Sequence, residues 1–146
     1  MFEEIKNCKK CSIQCNQAPL LDLKNTADIM FVGLSAKIVK EKEDIPLSSN
    51  TNSGRIIEKI EDFLKPTSIY RTNLVKCVPL DNKSKLRYPT KDEIDTCLSN
   101  LILEINTIKP KIVIPTHYGN IIGSSKDGEK FKKLIAADIE CVIKLK

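Results

Sequence analysis

The residues with the clearest chemical potential in this chain are cysteines. Cys8 and Cys11 form a Cys-x-x-Cys pair, whose two thiolates can bind one metal ion or cluster while the backbone between them turns. Cys77 lies at the end of a predicted strand, and Cys97 lies in the helix predicted after the next loop. Because that loop can fold back and bring both sulfurs together, the spacing predicts a four-thiolate site. Zinc and an iron-sulfur cluster are both compatible with four thiolates.

Each of the six cysteines also has a simpler interpretation, because free cysteine is among the most buried residue types and packs as a small apolar side chain. Cys15 is a candidate third ligand from the N-terminal segment. Cys141 alternates along a predicted strand and is expected in the core. Spacing alone therefore leaves ligand and packing roles open.

Strands alternating with helices must position these residues. Compact apolar runs predict four strands, at 27–33, 69–78, 111–115 and 140–145. Helical spacing of apolar residues predicts helices over 55–65, from about Thr90 to Lys109, and over 129–137, with Ser53 and Thr90 as N-caps. Such alternation is typical of right-handed crossovers and a parallel sheet covered on both faces.

The predicted fold class is therefore α/β, a three-layer α/β/α domain with a four-stranded, mainly parallel sheet. Residues 1–146 are expected to form a single domain, because this length supports one core but not two. Residues 1–24 form a cysteine-bearing leader that lacks a core of its own. Ligands of such sheets bind beyond the carboxyl ends of the strands, which directs attention to 33–35, 73–79 and 116–119.

Composition narrows the partner and the compartment. The formal net charge of +5 and the sequence pI near 8.8 suit an anionic partner such as nucleic acid. No apolar run approaches the roughly 20 residues of a membrane span, and the N-terminus does not read as a signal peptide. We therefore expect a cytoplasmic protein without a membrane partner, whose cysteines are not disulfide-bonded.

Six segments, taken together, resemble the iron-sulfur uracil-DNA glycosylases in order and spacing. They are "CKKC", "ADIMFVG", "NSGRIIEKI", "YRTNLVKCVPL", "KDEIDTCLSNLILEI" and "KPKIVIP". The resemblance implies a uracil-DNA glycosylase-like fold and a 4Fe-4S cluster bound by Cys8, Cys11, Cys77 and Cys97. It also implies uracil-containing DNA as the partner, base-excision repair by hydrolysis of the N-glycosidic bond as the reaction, and a monomer.

The resemblance places Asn73 in a pocket for a flipped uracil. An amide offers one donor and one acceptor, which complement the O4 acceptor and N3 donor of uracil, whereas cytosine presents the opposite pattern. The alternative is an asparagine that caps the following turn. The same resemblance places Gly33, Leu34 and Ser35 in the first substrate-binding loop, and Leu47 where an aromatic ring stacks on the base.

The chain departs from the family pattern in the two loops that carry catalysis. "GLSAK" stands for the usual Gly-Glu-Ala-Pro-Gly, so that Leu34 replaces the acid, and Pro46-Leu47 stands for Pro-Phe. The loop with a histidine would begin where the chain stops at Lys146, so we expect a C-terminally truncated, shortened member. Ser35 and His117, the sole histidine, are the weak catalytic candidates.

Three hypotheses follow from these departures. The first is a uracil-DNA glycosylase, and the second is an iron-sulfur protein that binds nucleic acid or a nucleobase without cleaving it. The third is a structural protein held together by zinc. The loop "DNKSKLRYP", with Lys83, Lys85, Arg87 and Tyr88, suits phosphate contacts and stacking, or is simply a solvated loop.

Overall fold

The computed structural model describes residues 1–39 and 44–116 of the chain. Its centre is a parallel sheet of three strands in the order β2-β1-β3. The strands are β1 (Ile29–Ser35), β2 (Ile69–Val75) and β3 (Ile112–Pro115). The parallel α/β architecture is thus confirmed, while the predicted fourth strand, 140–145 with Cys141, lies outside the described residues.

Two helices cover opposite faces of this sheet. Along β1, Ile29 and Phe31 pack towards Ile57 of α2 (Asn52–Leu64). Their neighbours Met30 and Val32 share the core on the other face, which α3 (Lys91–Ile108) covers. Because side chains of a strand point alternately to its two faces, one apolar run serves both cores. The described part of the chain therefore has three layers.

Helix α2 begins earlier than the sequence predicts. Its N-cap is Thr51, whose Oγ1 accepts a hydrogen bond from the Gly54 backbone N–H at 3.0 Å. The prediction of Ser53 as the cap is wrong, because Ser53 already lies within the first turn of the helix. Polar residues are common both at the N-cap and in the first turn of a helix. The identity of Ser53 therefore could not show which of the two positions it occupies.

Helix α3 begins as predicted, with Thr90 as its N-cap. The Thr90 side chain accepts from the Glu93 backbone N–H, and the Glu93 carboxylate accepts from the Thr90 backbone N–H, so the two form a capping box. The helix ends at Ile108, and Lys109 adopts the left-handed conformation with φ 52° before Pro110.

The leader, predicted to lack a core of its own, packs into the core that the sheet and α3 share. It contains α1 (Phe2–Lys6) and a 3-10 helix, Ser12–Cys15. Ile5 is entirely buried, and Ile13 packs into the core beneath α3. Among the helices of the described residues, none has the length and apolar character to cross a bilayer.

Candidate functional site

A cavity of about 570 Å³ lies at the carboxyl ends of β1 and β2. The residues predicted to contact a substrate all line it: Gly33, Leu34, Ser35, Leu47 and Asn73. Further lining comes from the segments 36–39, 44–53 and 86–88. This is the edge of a parallel sheet at which ligands bind. The tertiary structure therefore gathers residues that are far apart in the sequence around one concave surface.

Gly33 leaves the space that the Asn73 side chain occupies. The two residues are direct partners in the parallel register of β1 and β2. A Cβ atom at position 33 would lie 2.3 Å from Asn73 Oδ1 and 2.9 Å from Leu47 Cδ2. Glycine at this position therefore allows a strand backbone to approach two functional side chains closely.

Asn73 is only 3% exposed, yet its side-chain amide has no hydrogen-bond partner among the described residues. The backbone carbonyl of Asn73 accepts hydrogen bonds from Lys76 Nζ and from Thr72 Oγ1. The amide is not sealed in the core, because Asn73 lines the cavity. A nearly buried amide that points its donor and acceptor into a cavity is suited to bind a polar ligand.

Leu47 is held in a conformation that a leucine rarely adopts. Its φ is 54°, in the left-handed region. The Leu47 carbonyl accepts a hydrogen bond from Arg71 Nη1 at 3.1 Å, and the Arg71 guanidinium is paired with Glu61. The loop also presses on α2, since a Cβ at Gly54 would lie 1.8 Å from the Ser48 carbonyl oxygen. The cavity wall at Leu47 is therefore fixed from two sides.

The end of β1 offers little polar chemistry. Leu34 is buried, and Ser35 is half-buried, so no acid occupies this part of the wall. A carboxylate lines the cavity from elsewhere, however: Asp44, whose Oδ1 accepts a hydrogen bond from Asn50 Nδ2 at 2.9 Å. Sequence reasoning missed Asp44 because it closes a charged run in a loop and looks like ordinary solvated surface.

The four predicted cysteine ligands come from the leader, the segment after β2, and α3, and they lie near one another where these three parts meet. Cys77 and Cys97 are buried, while Cys8 and Cys11 are half-buried. Asn100 Nδ2 donates to Cys8 Sγ at 3.4 Å and to Cys97 Sγ at 3.9 Å. Since one amide nitrogen reaches both sulfurs, the leader and α3 bring their thiols together.

The electrostatics of Cys77 report the same proximity. Burial, and after it the charges of Cys97, Cys11 and Cys8, raise the pKa of Cys77 to about 12. Burial also raises the pKa of Cys97, against the hydrogen bond that its sulfur accepts from the Lys76 backbone N–H at 3.4 Å. Thiols placed this close favour their ionised forms only when a positive centre binds them.

The remaining cysteines and the geometry bear on what could bind there. Cys15 is exposed at the end of the 3-10 helix, where its sulfur accepts from Gln14 Nε2. Within residues 1–39 and 44–116, no group of three or more His, Cys, Asp or Glu side chains is placed to hold a single metal ion. Four thiolates are compatible with zinc and with an iron-sulfur cluster.

A buried charged network joins the cysteine region to the cavity. Lys76 and Glu104 are both entirely buried and form an ion pair. Glu104 also accepts hydrogen bonds from Tyr70 Oη at 2.9 Å and from Thr72 Oγ1 at 2.9 Å. Burial, followed by the charge and hydrogen bond of Glu104, raises the pKa of Tyr70. Sequence reasoning missed this network, although a lysine within an apolar strand was a signal.

The structure bears on the predicted phosphate-binding loop but not on His117. Arg87 is not free to bind phosphate, because its guanidinium donates to both carboxylate oxygens of Glu93, at 2.9 and 2.6 Å, and to the Leu80 and Tyr88 carbonyls. Tyr88 is exposed at the cavity. His117 lies outside the described residues, so its proposed catalytic role stays a prediction.

Comparison with known proteins bears on all these features together. The family model described as "Uracil DNA glycosylase superfamily" matches residues 21–140. The chain is 32% identical over 140 residues to the type-4 uracil-DNA glycosylase of Sulfurisphaera tokodaii, covering 90% of the chain and 60% of that protein. It is 29% identical over 139 residues to the same-named protein of Saccharolobus solfataricus, with 90% and 58% coverage.

A third protein of that name, from Archaeoglobus fulgidus, is 25% identical over 119 residues, or 78% of this chain and 56% of the relative. The chain thus spans a little over half the length of the curated relatives it matches. The family match covers most of the chain, and it includes both strands that line the cavity. The resemblance seen in the sequence is therefore confirmed, and the chain belongs to the uracil DNA glycosylase superfamily.

Proposed function

We propose that the chain recognises uracil in DNA and hydrolyses its N-glycosidic bond. The observation that carries this proposal is the amide of Asn73, which lies nearly buried at the cavity without a partner among the described residues. Base recognition needs such a group, because a ligand must repay the cost of desolvating it. The names of the similar proteins, type-4 uracil-DNA glycosylases, support the same reaction.

The amide distinguishes uracil from cytosine by its hydrogen-bonding pattern. Its N–H donates to O4 of uracil, and its carbonyl oxygen accepts from N3–H. Cytosine reverses both groups and leaves buried polar atoms unpaired, at about 1 to 3 kcal/mol for each. The apolar side chains of Leu34 and Leu47 would flank the base, and Leu47 would replace an aromatic stacking partner with aliphatic contact.

Hydrolysis also requires a positioned water and a stabilised leaving anion. We assign the water to Asp44, because it is the carboxylate among the described residues that line the cavity. A carboxylate at this position accepts a hydrogen bond from the attacking water and opposes the positive charge that develops on the sugar. Asp44 would thereby compensate for Leu34, which stands where the resemblance implies an acid.

We further propose that Cys8, Cys11, Cys77 and Cys97 bind a 4Fe-4S cluster. Their convergence in a largely buried site supports this, as do the donors that Asn100 and the Lys76 backbone present to the sulfurs. When bound, the cluster supplies a covalent junction between leader, β2 and α3 and takes no part in hydrolysis. Cys77 lies four residues after Asn73, so the junction would hold the end of the strand that carries the amide.

The cofactor proposal is tested by anaerobic purification with analysis of iron, acid-labile sulfide and zinc. We expect a brown protein with equal iron and sulfide, and loss of both in Cys97→Ser. The matched control is Cys15→Ser, which removes an exposed thiol of the same leader and is expected to keep the cluster. A colourless protein that contains zinc and no iron would contradict the cluster.

The function is tested by release of free uracil from single-stranded and double-stranded uracil DNA. We expect release that Asn73→Ala and Asp44→Asn abolish, with thymine DNA as the negative control. A second candidate, binding without cleavage, is favoured by the apolar Leu34 at the end of β1. It predicts uracil-selective binding that depends on Asn73 without any release of base, and that outcome would overturn the hydrolytic proposal.

A further inference from the structure

The loop between β2 and α3 is tightly built, although its sequence looks like a solvated connection. Leu80 and Leu86 form an antiparallel bridge. The Asp81 backbone N–H donates to the Lys85 carbonyl at 2.8 Å, and the Asp81 carboxylate accepts from the Lys83 and Lys85 backbone N–H groups at 2.8 and 2.9 Å. These bonds hold the loop in one shape and leave the two lysine side chains exposed.

Arg87 fastens the end of this loop to α3. Its guanidinium binds both carboxylate oxygens of Glu93, and its Nε donates to the Leu80 carbonyl at 3.0 Å. Its backbone N–H donates to the Pro79 carbonyl at 3.1 Å. Glu93 is itself fixed by the capping box with Thr90. The residue that follows Arg87 is therefore presented from a rigid base.

That residue is Tyr88, and its ring is not packed into the protein. Tyr88 is 68% exposed and lines the cavity. Among the described residues that line the cavity, it is the single aromatic one. The apolar part of the described wall is aliphatic, since Leu47 stands where the resemblance implies an aromatic ring. An exposed aromatic ring on a rigid loop is typical of surfaces on which nucleobases stack.

We propose that Tyr88 is a stacking platform for a nucleobase of the DNA strand at the mouth of the cavity. The inference rests on the proposed function insofar as the strand enters this cavity, and it adds a second contact that does not depend on uracil. Stacking is tolerant of base identity because every base has a π-face. Lys83 and Lys85, exposed on the same loop, are placed to meet the phosphates of that strand.

The chain offers a matched control for an exposed aromatic ring. Phe63 of α2 is 87% exposed, and it is not among the residues that line the cavity. If any exposed aromatic ring promoted binding, Phe63→Leu and Tyr88→Leu would weaken it equally. Stacking at the cavity mouth predicts an effect of Tyr88→Leu alone.

The test uses the full chain and a fluorescein-labelled oligodeoxythymidine of about 12 nucleotides, which contains no uracil. At fixed low salt, we expect Tyr88→Leu to weaken binding about 5-fold to 150-fold, the range for loss of one stacked base. Tyr88→Phe and Phe63→Leu are expected to bind as the wild type does. Circular dichroism checks that each variant is folded.

A second readout avoids reliance on loss of binding. The chain has no tryptophan, so Tyr88→Trp introduces a single indole at this position. We expect its fluorescence to be quenched as oligodeoxythymidine is added, because stacking brings the base against the ring. Unquenched fluorescence in a variant that binds the oligonucleotide would overturn the inference, as would wild-type affinity in Tyr88→Leu or no binding by the wild type.

Uracil release is measured in parallel with these variants. Tyr88-dependent binding of oligodeoxythymidine without uracil release overturns the proposed hydrolysis and supports the stacking inference. Uracil release by wild type and Tyr88→Leu, with equal oligodeoxythymidine affinities, overturns the stacking inference alone.

Discussion

Neighbouring residues of β2 differ in how far the protein satisfies their polar groups. Thr72 points to the α3 face, where it joins the entirely buried pair of Lys76 and Glu104. Asn73 points the other way, and its amide has no partner among the described residues. A closed polar network contributes to the folded state, whereas an open amide awaits a ligand. The contrast separates groups that stabilise from groups that bind.

The largest effect on stability is expected when the buried network of Lys76 and Glu104 is broken. Glu104→Ala leaves the Lys76 ammonium buried without its counter-charge, so we expect a loss of about 3 to 5 kcal/mol in the free energy of unfolding. Urea denaturation measures it. The double variant Lys76→Met/Glu104→Leu removes both charges and is expected to recover most of the loss. Equal destabilisation of the single and double variants would show that the lost packing and hydrogen bonds, not the unpaired charge, account for the effect.

A smaller effect on stability is expected at Gly33, the partner of Asn73 in the neighbouring strand. Gly33→Ala places a Cβ 2.3 Å from Asn73 Oδ1, so the amide must move. Both nearby atoms belong to side-chain ends that can shift, and we expect a cost of about 1 to 3 kcal/mol in unfolding free energy. We expect the loss in free energy of binding to uracil DNA to exceed the loss in free energy of unfolding. Unchanged uracil binding would show that the position of the amide is not critical.

The loop that carries Tyr88 provides a test by pH. The ion pair with Arg87, and then the hydrogen bonds at Thr90, lower the pKa of Glu93 below its ordinary value. A carboxyl whose pKa is lowered by folding stabilises the fold at pH values above its pKa in the unfolded chain. It loses that contribution as the pH falls through its pKa in the folded protein. Glu93→Gln should therefore cost about 1 kcal/mol at neutral pH, through the weakened cap and ion pair.

Urea denaturation of wild type and Glu93→Gln over a pH series measures this difference. We expect the two proteins to converge in acid, once Glu93 is protonated in the folded state. Lys91→Gln, which alters the exposed pair with Asp95 in the same helical turn, is the control and should change stability far less. A difference that persisted in acid would mean that charge on Glu93 is not its source.

The smallest effect on stability is expected at the open amide. Asn73→Ala removes no side-chain hydrogen bond to any described residue, so we expect the unfolding free energy to change by less than about 1 kcal/mol. The same substitution should abolish selectivity for uracil DNA over thymine DNA in a binding titration. Strong destabilisation with retained selectivity would place Asn73 with the structural network instead.

The sequence by itself determined the helices and strands of the described residues and their order along the chain. Apolar runs and caps predicted the parallel α/β arrangement and the start of α3 at Thr90, because strand and helix periodicity depend on neighbouring residues. The cysteine spacing and the segment around Asn73 carried the resemblance to the family, which placed Gly33, Leu34, Ser35, Leu47 and Asn73 at the cavity. The single domain, the fourth strand and the role of His117 remain predictions.

The tertiary structure decided which distant residues meet. Asp44 and Tyr88 come to one cavity from separate loops, and Glu104 reaches Lys76 from another element. None of these approaches leaves a local pattern, because each depends on how helices cross the sheet. The same packing showed that Arg87 is committed to Glu93 while Tyr88 is exposed, a division that two adjacent letters of sequence cannot express.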